Sequence, residues 1–196
     1  MSGIVGSRLN NRGSGLIGSL GTDGQVLTSS GAGASAIFEA VAAEDNQPVW
    51  YGRKPNPYDQ YISRTVYTKV TRLDEADVID THSAFSDSRF TVPVDEGGNY
   101  FVHGCILGVF KAALGYDGED AYTTIYKNGV QGLKSGFQWQ NDGEIGLILP
   151  VVSGVIPLDV GDYVELYGRL TDEDDSGDAH INGGVGTNFG GFKISS

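Results

Sequence analysis

The sequence predicts an all-β protein, a jelly-roll sandwich of about ten short strands preceded by an extended N-terminal arm. Three observations support this fold class. Glycine is frequent, at 30 of 196 residues, and aromatic residues make up 10% of the chain. No window shows the periodicity of a long amphipathic helix. Short apolar or alternating runs are instead separated by turn residues along almost the whole chain, which is typical of sandwiches and jelly rolls.

Composition restricts the partners that the protein can bind. The formal net charge of −12 argues against nucleic acid and anionic membranes, because both require concentrated Lys and Arg. No run of 18 apolar residues predicts a membrane span, and the N-terminus lacks the apolar core of a signal peptide. We therefore expect synthesis in the host cytoplasm. The single cysteine, Cys105, excludes intrachain disulfides, so stability depends on packing or oligomerisation.

The chain is predicted to have three parts: an arm at 1–36, additional strands at 37–83 that lead into the head, and a jelly roll at 84–196. The arm holds nine of the glycines and only three charged residues. Glycine permits tight bends and close backbone approach, which suits a segment laid along another protein. An alternative is that the arm packs on its own domain. The predicted partner-binding residues are the apolar ones spaced through this region, namely Ile4, Val5, Leu9, Leu16, Ile17, Leu20, Val26 and Leu27.

The arm also contains a G-x-G-x-x-G pattern, formed by Gly13, Gly15 and Gly18. A dinucleotide site needs a buried strand before this pattern and a helix after it. The preceding residues, SRLNNR, are too polar for a buried strand, and further glycines follow where the helix should run. No nucleotide is expected here.

The strand signals from residue 37 onward alternate with turns. LDEADVIDTHS fits either one helical turn or a loop. The remaining runs are read as strands, and Asn128-Gly129 as a tight hairpin turn. In order they are AIFEAV, QPVWYG, YISRTVYTKVTR, FTVPV, YFVHGCILGVFKA, AYTTIYKNGVQ, GFQW, EIGLILPVVSGVIPL, DYVELYGRL and FGGFKIS.

Four motifs in the C-terminal part carry a family resemblance. They are FTVPVDEGGNYFVHG at 90–104, IYKNGV, LDVGDYVELYG and the closing NFGGFKIS at 188–195. Their order and spacing resemble those of C1q/TNF-like domains. The resemblance implies a ten-stranded jelly roll that assembles as a tight homotrimer. The residues expected to meet around the threefold axis are Tyr100, Val102, Tyr163, Phe189 and Phe192.

A second resemblance concerns the arm. GTDGQVLTSSGAGASAIFEAV is similar to a segment found in bacteriophage fibre and other virion proteins, where it precedes a C-terminal knob. The resemblance implies that the glycines serve assembly. It also implies that the arm binds capsid or tail proteins and holds the head on the virion exterior.

Catalytic and metal-binding patterns are weak. Cys105 and His103 project from the same face of one strand, but a reactive thiol needs exposure and an electropositive setting, so Cys105 is interpreted as a core residue. The three histidines have no metal-ligand spacing. The run at 171–180 begins like a calcium loop, with Asp172, Asp174 and Asp175 as candidate ligands. Position twelve is a glycine, however, and a solvated loop is the favoured interpretation. No other cofactor is expected.

These observations favour a non-enzymatic bacteriophage structural protein, a homotrimeric capsid decoration or cement protein anchored by its arm. A full tail fibre would need a longer shaft. The alternative is a tail-fibre or knob receptor-binding protein that attaches to a host surface glycan or protein through loops such as TDEDDSGD or YDGED. A third hypothesis, a hydrolase such as a polysaccharide depolymerase, lacks a recognisable catalytic constellation.

Overall fold

The computed structural model describes residues 25–28, 37–40, 47–110, 118–138, 146–172 and 179–195. Every helix or strand assigned within these ranges is a strand, which confirms the all-β prediction. No helix in this part of the chain is long and apolar enough to span a membrane. The chain divides into two units, Met1–Asn46 and Gln47–Ser196. In the first unit, β1 (Gln25–Thr28) and β2 (Ile37–Ala40) form an antiparallel pair.

The described part of the second unit contains fifteen strands. They are β3 (Val49–Arg53), β4 (Gln60–Tyr61), β5 (Thr68–Lys69), β6 (Ala76–Asp80), β7 (Phe85–Ser86), β8 (Arg89–Thr91), β9 (Gly98–Cys105), β10 (Leu107–Val109), β11 (Gly118–Lys127), β12 (Val130–Gln138), β13 (Leu147–Ile148), β14 (Val151–Leu158), β15 (Tyr163–Asp172), β16 (His180–Asn182) and β17 (Asn188–Ser195).

Two antiparallel sheets form the sandwich. The first sheet has the order β14-β9-β17-β3-β6, and the second has the order β12-β11-β15-β8-β7, with β5 also paired to β15. A small third sheet has the order β13-β10-β16-β4. Eight strands thus make two four-stranded layers, β14-β9-β17-β3 and β12-β11-β15-β8, and the chain crosses between the layers at each step except the β11-β12 hairpin. This is the arrangement of a jelly roll, as predicted.

Aromatic rings join the two sheets at the centre of the core. Trp50 of β3 stacks on Phe90 of β8, with ring centroids 3.7 Å apart and planes 6° apart. Tyr100 of β9 and Phe189 of β17 lie at 6.0 and 6.1 Å from the Trp50 ring. All four side chains are almost fully buried. Their burial removes a large apolar area from water and accounts for much of the packing between the layers.

A buried charge network ties three strands of the second sheet together. The Glu165 side chain of β15 is only 3% exposed and accepts hydrogen bonds from Lys69 of β5 at 2.9 Å and from Arg89 of β8 at 2.8 Å. Burial raises the pKa of this carboxyl, but the hydrogen bonds and charges of the two cations outweigh burial and leave the pKa lowered. The two cations therefore keep a buried carboxylate ionised.

Several predicted strands differ from the observed ones. The run YISRTVYTKVTR contains only the last residue of β4, Tyr61, and the two residues of β5, and the segment 62–67 between them is not a strand. LDEADVIDTHS contains β6, which pairs with β3 at the edge of the first sheet. YFVHGCILGVFKA divides into β9 and β10 at Ile106, and EIGLILPVVSGVIPL divides into β13 and β14 before Val151. Pro150 explains the second division, because proline cannot donate a ladder hydrogen bond.

The predicted domain boundaries also differ from the observed division. Residues 37–83 were predicted to precede the head, yet β3 lies inside the first sheet and pairs with β17 over five residues. The head therefore includes residues from Gln47 onward. This pairing joins residues far apart in the sequence, so local patterns do not reveal it.

Candidate functional site: an apolar sheet face

The outward face of the first sheet is apolar, although outward faces of sandwiches are usually polar. Alternation along each strand sends one set of side chains into the core and the other set outward. Cross-strand pairing aligns the outward set in rows. We call this surface the apolar face and define it as Val49, Tyr51, Ile79, Phe101, His103, Val151, Val155, Phe192 and Ile194.

The central rows of the apolar face are continuous across the sheet. Val155 pairs with Phe101, which pairs with Phe192, which pairs with Val49. The rings of Phe101 and Phe192 lie 5.4 Å apart. Val155 is 54% exposed and Phe192 is 46% exposed, so large apolar side chains stand in solvent in the single chain. Contiguous exposed surfaces of this kind mark interaction sites in soluble proteins.

His103 lies in the middle of the apolar face. Its ring is 6.2 Å from Tyr51 and 6.4 Å from Phe101, at interplanar angles of 21° and 27°. Gly190 lies beside it, and a Cβ at this position would come within 2.9 Å of His103 Cε1. Glycine at this position thus leaves room for the His103 and Tyr51 rings to pack against the backbone of β17. Burial lowers the pKa of His103, so the neutral imidazole is favoured here.

An apolar groove adjoins this face at the edge of the first sheet. It has a volume of about 500 Å³ and runs between β14 and the hairpin of β11 and β12. Val155 belongs to both the apolar face and the groove, so the two surfaces are continuous. The other lining residues are Lys127, Asn128, Val130, Gln131, Gly132, Leu133, Ile156 and Pro157.

The residues predicted to meet around a threefold axis lie in different places. Tyr100, Val102 and Phe189 are fully buried between the two sheets of a single chain, so we correct their assignment from trimer contacts to the core. Their neighbours on the same strands, which point the opposite way, form the apolar face instead. Phe192 is exposed there. Tyr163 is half-buried on the second sheet, under the guanidinium of Arg89 at 4.1 Å.

Cys105 and His103 are the two residues weighed above for nucleophilic catalysis, with Cys105 interpreted as a core residue. Cys105 and His103 share the outward side of β9, as the alternation predicted. Cys105 is buried, and burial raises the pKa of its thiol, which disfavours the reactive thiolate. In the described ranges, no three His, Cys, Asp or Glu side chains are arranged to hold a metal ion.

Several predicted binding residues cannot be compared with the structure. Asp174 and Asp175 lie outside the described residues, and Asp172 is described only as the backbone end of β15. Within YDGED, Glu119 and Asp120 belong to β11, and they pair with Arg64 at 3.3 Å and Arg169 at 3.1 Å. The arm residues Ile4, Val5, Leu9, Leu16, Ile17 and Leu20 also lie outside the described ranges, and Val26 and Leu27 are described only as backbone of β1.

Comparison with known proteins finds a distant structural likeness but no match in sequence. No protein-family model matches the chain, and no curated protein matches it. Among solved structures, the chain is similar to the globular domain of the zebrafish complement 1qA protein. The two share 16% sequence identity with a TM-score of 0.49, over 76% of this chain and 97% of that one. The jelly-roll assignment itself rests on the strand order of the two sheets.

Proposed function

We propose that this protein is a non-enzymatic structural protein of a bacteriophage virion, a homotrimeric capsid decoration or cement protein. In this proposal the head associates through the apolar face, and the N-terminal arm binds the virion. The observation that carries the association is the contiguous row Val155, Phe101, Phe192 and Val49 on the outward side of the first sheet. Removal of such a row from water favours association with another chain.

The adjoining groove supports a ring of three copies. In a cyclic trimer each interface is heterologous, so two different patches of the surface must be complementary. The apolar face supplies one patch, and the groove beside Val130, Leu133 and Pro157 supplies a second apolar patch next to it. The edge of one head would then pack against the apolar face of the next.

The composition of the arm supports the anchoring role. Its apolar residues are spaced by glycine and carry almost no charge, which suits an extended segment buried on another protein. Three arms on one trimer would bind several capsid subunits at once. Multivalent attachment of this kind raises the overall affinity without any new contact, provided that the arms reach their sites together.

The association is tested by light scattering on the full-length protein. Val155→Glu places a charge in the apolar face, and we expect it to convert trimers into monomers. Val185→Glu is the matched control, because Val185 is 82% exposed in the loop before β17. Trimers that persist in V155E, or that are lost equally in V185E, would contradict association through the apolar face.

The anchoring role is tested on particles stripped of this protein. We expect the full-length chain to bind, and a chain lacking residues 1–36 to remain trimeric without binding. Binding of the shortened chain to the particles would contradict the anchoring role of the arm. The receptor-binding alternative shares the same trimer, and it differs in that substitutions on the head surface would reduce attachment to the host cell.

A further inference from the structure

The outward face of the second sheet, on the other side of the sandwich from the apolar face, carries a cluster of hydrogen-bond donors. Its strands pair so that Thr124 of β11 lies between Lys134 of β12 and Tyr167 of β15. Tyr122, two residues earlier, pairs with Arg169. Tyr67 reaches this face from the loop before β5. We call Tyr67, Tyr122, Thr124, Lys134 and Arg169 the donor cluster.

Short distances bring the donor cluster together. Lys134 Nζ lies 3.8 Å from the centroid of the Tyr122 ring and 5.7 Å from that of Tyr67. Arg169 Cζ lies 5.4 Å from the Tyr122 centroid and 5.8 Å from the Tyr67 centroid. Both cations are therefore within reach of the same two rings, although like charges repel each other.

Three polar atoms of this cluster lack a hydrogen-bond partner among the described residues. Tyr67 Oη, Thr124 Oγ1 and Arg169 Nε are buried atoms without a hydrogen-bond partner. Thr124 itself is fully buried. Within the described residues, no carboxylate lies within ion-pair distance of Lys134. Asp120, at 3.1 Å, binds the Arg169 guanidinium through Nη2 and leaves Nε–H free. Unpartnered buried polar groups are rare and require an explanation.

An oxyanion is the ligand that this arrangement fits. Arg Nε and Lys Nζ can only donate, and hydrogen bonds from cations to an anionic oxygen are among the strong ones in proteins. A nucleic acid is disfavoured, because the chain carries a net charge of −12 and repels a dense polyanion. The Tyr67 and Tyr122 rings provide apolar surface beside the cations, against which the C–H groups of a sugar ring can pack.

We propose that the donor cluster binds the carboxylate or sulfate group of an acidic saccharide. In this proposal the Lys134 side chain moves off the Tyr122 ring and binds the oxyanion together with Arg169. The hydroxyls of Thr124 and Tyr67, which are buried in the unliganded head, then donate to the oxyanion, and the uncovered Tyr122 ring contacts the sugar. The site lies on the outward face of the second sheet, and alternation along β12 points Lys134 away from Leu133 and the groove, so the site is separate from the surfaces used in the association proposed above. It gives the head a ligand-binding role in addition to a structural one.

Isothermal titration calorimetry of the full-length protein tests this proposal with three probes. They are a polygalacturonate fragment, which carries carboxylates, dextran sulfate, which carries sulfates, and neutral dextran. We expect binding of one or both anionic saccharides, weakened by salt, and no binding of dextran. Binding of the uronate alone assigns the group as a carboxylate, and binding of the sulfated polymer alone assigns it as a sulfate.

Two substitutions connect that binding to the donor cluster. Lys134→Met should weaken it by about tenfold or more. Lys127→Met is the matched control, because Lys127 is on the same hairpin, loses the same charge and is paired with Asp162 at 2.7 Å. Thr124→Val removes a buried hydroxyl without changing shape, so it should weaken binding while the protein stays folded.

Three results would overturn the proposal: no binding of either anionic saccharide, equal binding of neutral dextran, or equal affinities of K134M and the unsubstituted protein. Inorganic sulfate, titrated alone, is a further control, because affinity equal to that of dextran sulfate would exclude recognition of the sugar. Light scattering on the same samples reports trimer formation separately.

Discussion

At the scale of the residue, glycine determines how closely the strands of the first sheet pack around Trp50. A Cβ on Gly191 would lie 2.4 Å from the Trp50 ring and 2.5 Å from the carbonyl oxygen of Phe101. The indole fills the space beside the backbone of β17 and stacks on Phe90 from there. The closing motif NFGGFKIS therefore needs glycine at this position because of packing across the core.

Gly191→Ala should destabilise the head, because the new methyl must displace either the buried indole or the backbone. Overpacking of this kind costs about 1–3 kcal/mol, measured as a lower midpoint of urea unfolding. Gly97→Ala is the control. Its Cβ would meet neighbours at 3.6 Å or more, and we expect a change within about 0.5 kcal/mol. Equal midpoints for the two variants would contradict the role assigned to Gly191.

At the scale of the element, one carboxylate connects two turns that are far apart in the sequence. Asn128 begins the hairpin turn between β11 and β12, with φ of 51°, and Gly129 follows with φ of 76°. Asp162 Oδ1 accepts a hydrogen bond from Asn128 Nδ2 at 2.7 Å, and Asp162 Oδ2 pairs with Lys127 Nζ at 2.7 Å. Both turns are thus held by the same side chain.

These hydrogen bonds lower the pKa of Asp162 from 3.8 to about 2, with Lys127 as the largest cause and Asn128 next. Because the folded-state pKa lies below the ordinary value, the contribution to stability is complete above pH 3.8 and is lost as the pH falls towards 2. Asp162→Asn should remove about 1–2 kcal/mol at neutral pH and reduce the pH dependence of unfolding in that acid range.

Asp159→Asn is the matched control for this prediction. It makes the same charge change in the same turn, but the side chain of Asp159 is exposed and only its backbone contacts Asp162. The Asp159 N–H donates to Asp162 Oδ2 at 2.8 Å, and the Asp159 carbonyl oxygen accepts from the Asp162 N–H at 2.9 Å. Thermal unfolding followed by circular dichroism from pH 7 to pH 2 compares the variants. A loss of stability in D159N as large as that in D162N would show that net charge is responsible, and not the connection between the turns.

At the scale of the whole molecule, the position of His103 links association to pH. In a trimer formed through the apolar face, each His103 would be buried further, together with Tyr51 and Phe101. The pKa of His103 is already lowered by burial in the single chain. On the same side of the sheet, Arg53 of β3 forms an ion pair with Asp77 of β6.

We therefore expect the trimer to weaken on acidification. Burial places the pKa of His103 in the separated chains below the ordinary imidazole value of about 6.5, and deeper burial in the trimer lowers that pKa further. Association is therefore complete at neutral pH and declines as the pH falls through the lowered pKa of the separated chains. Sedimentation velocity between pH 7.5 and pH 5 measures the decline. His103→Gln should abolish the pH dependence, and His82→Gln should preserve it, because His82 instead faces Glu96 at 3.8 Å. A pH-dependent H103Q trimer would contradict this account.

Local patterns in the sequence predicted much of the fold and little of the candidate site. The Asn128-Gly129 turn and the strands around FTVPV and DYVELYG were predicted because turn residues and alternation are local signals. The assignment of Tyr100, Val102 and Phe189 to a trimer contact was wrong, because alternation shows that a strand has two sides without showing which side faces the core. Both sides of β9 are apolar, so the pattern does not show which side faces the second sheet.

The sequence by itself determined that this protein is an all-β sandwich of many short strands with one free thiol, because glycine spacing, alternation and cysteine number act through the local backbone. Only the tertiary structure decided which strands are neighbours. It placed Val155, Phe101, Phe192 and Val49 in one row, and Thr124 between Lys134 and Tyr167. Both surfaces arise from pairing between distant segments, and a shift of register by one residue would turn every side chain to the opposite side.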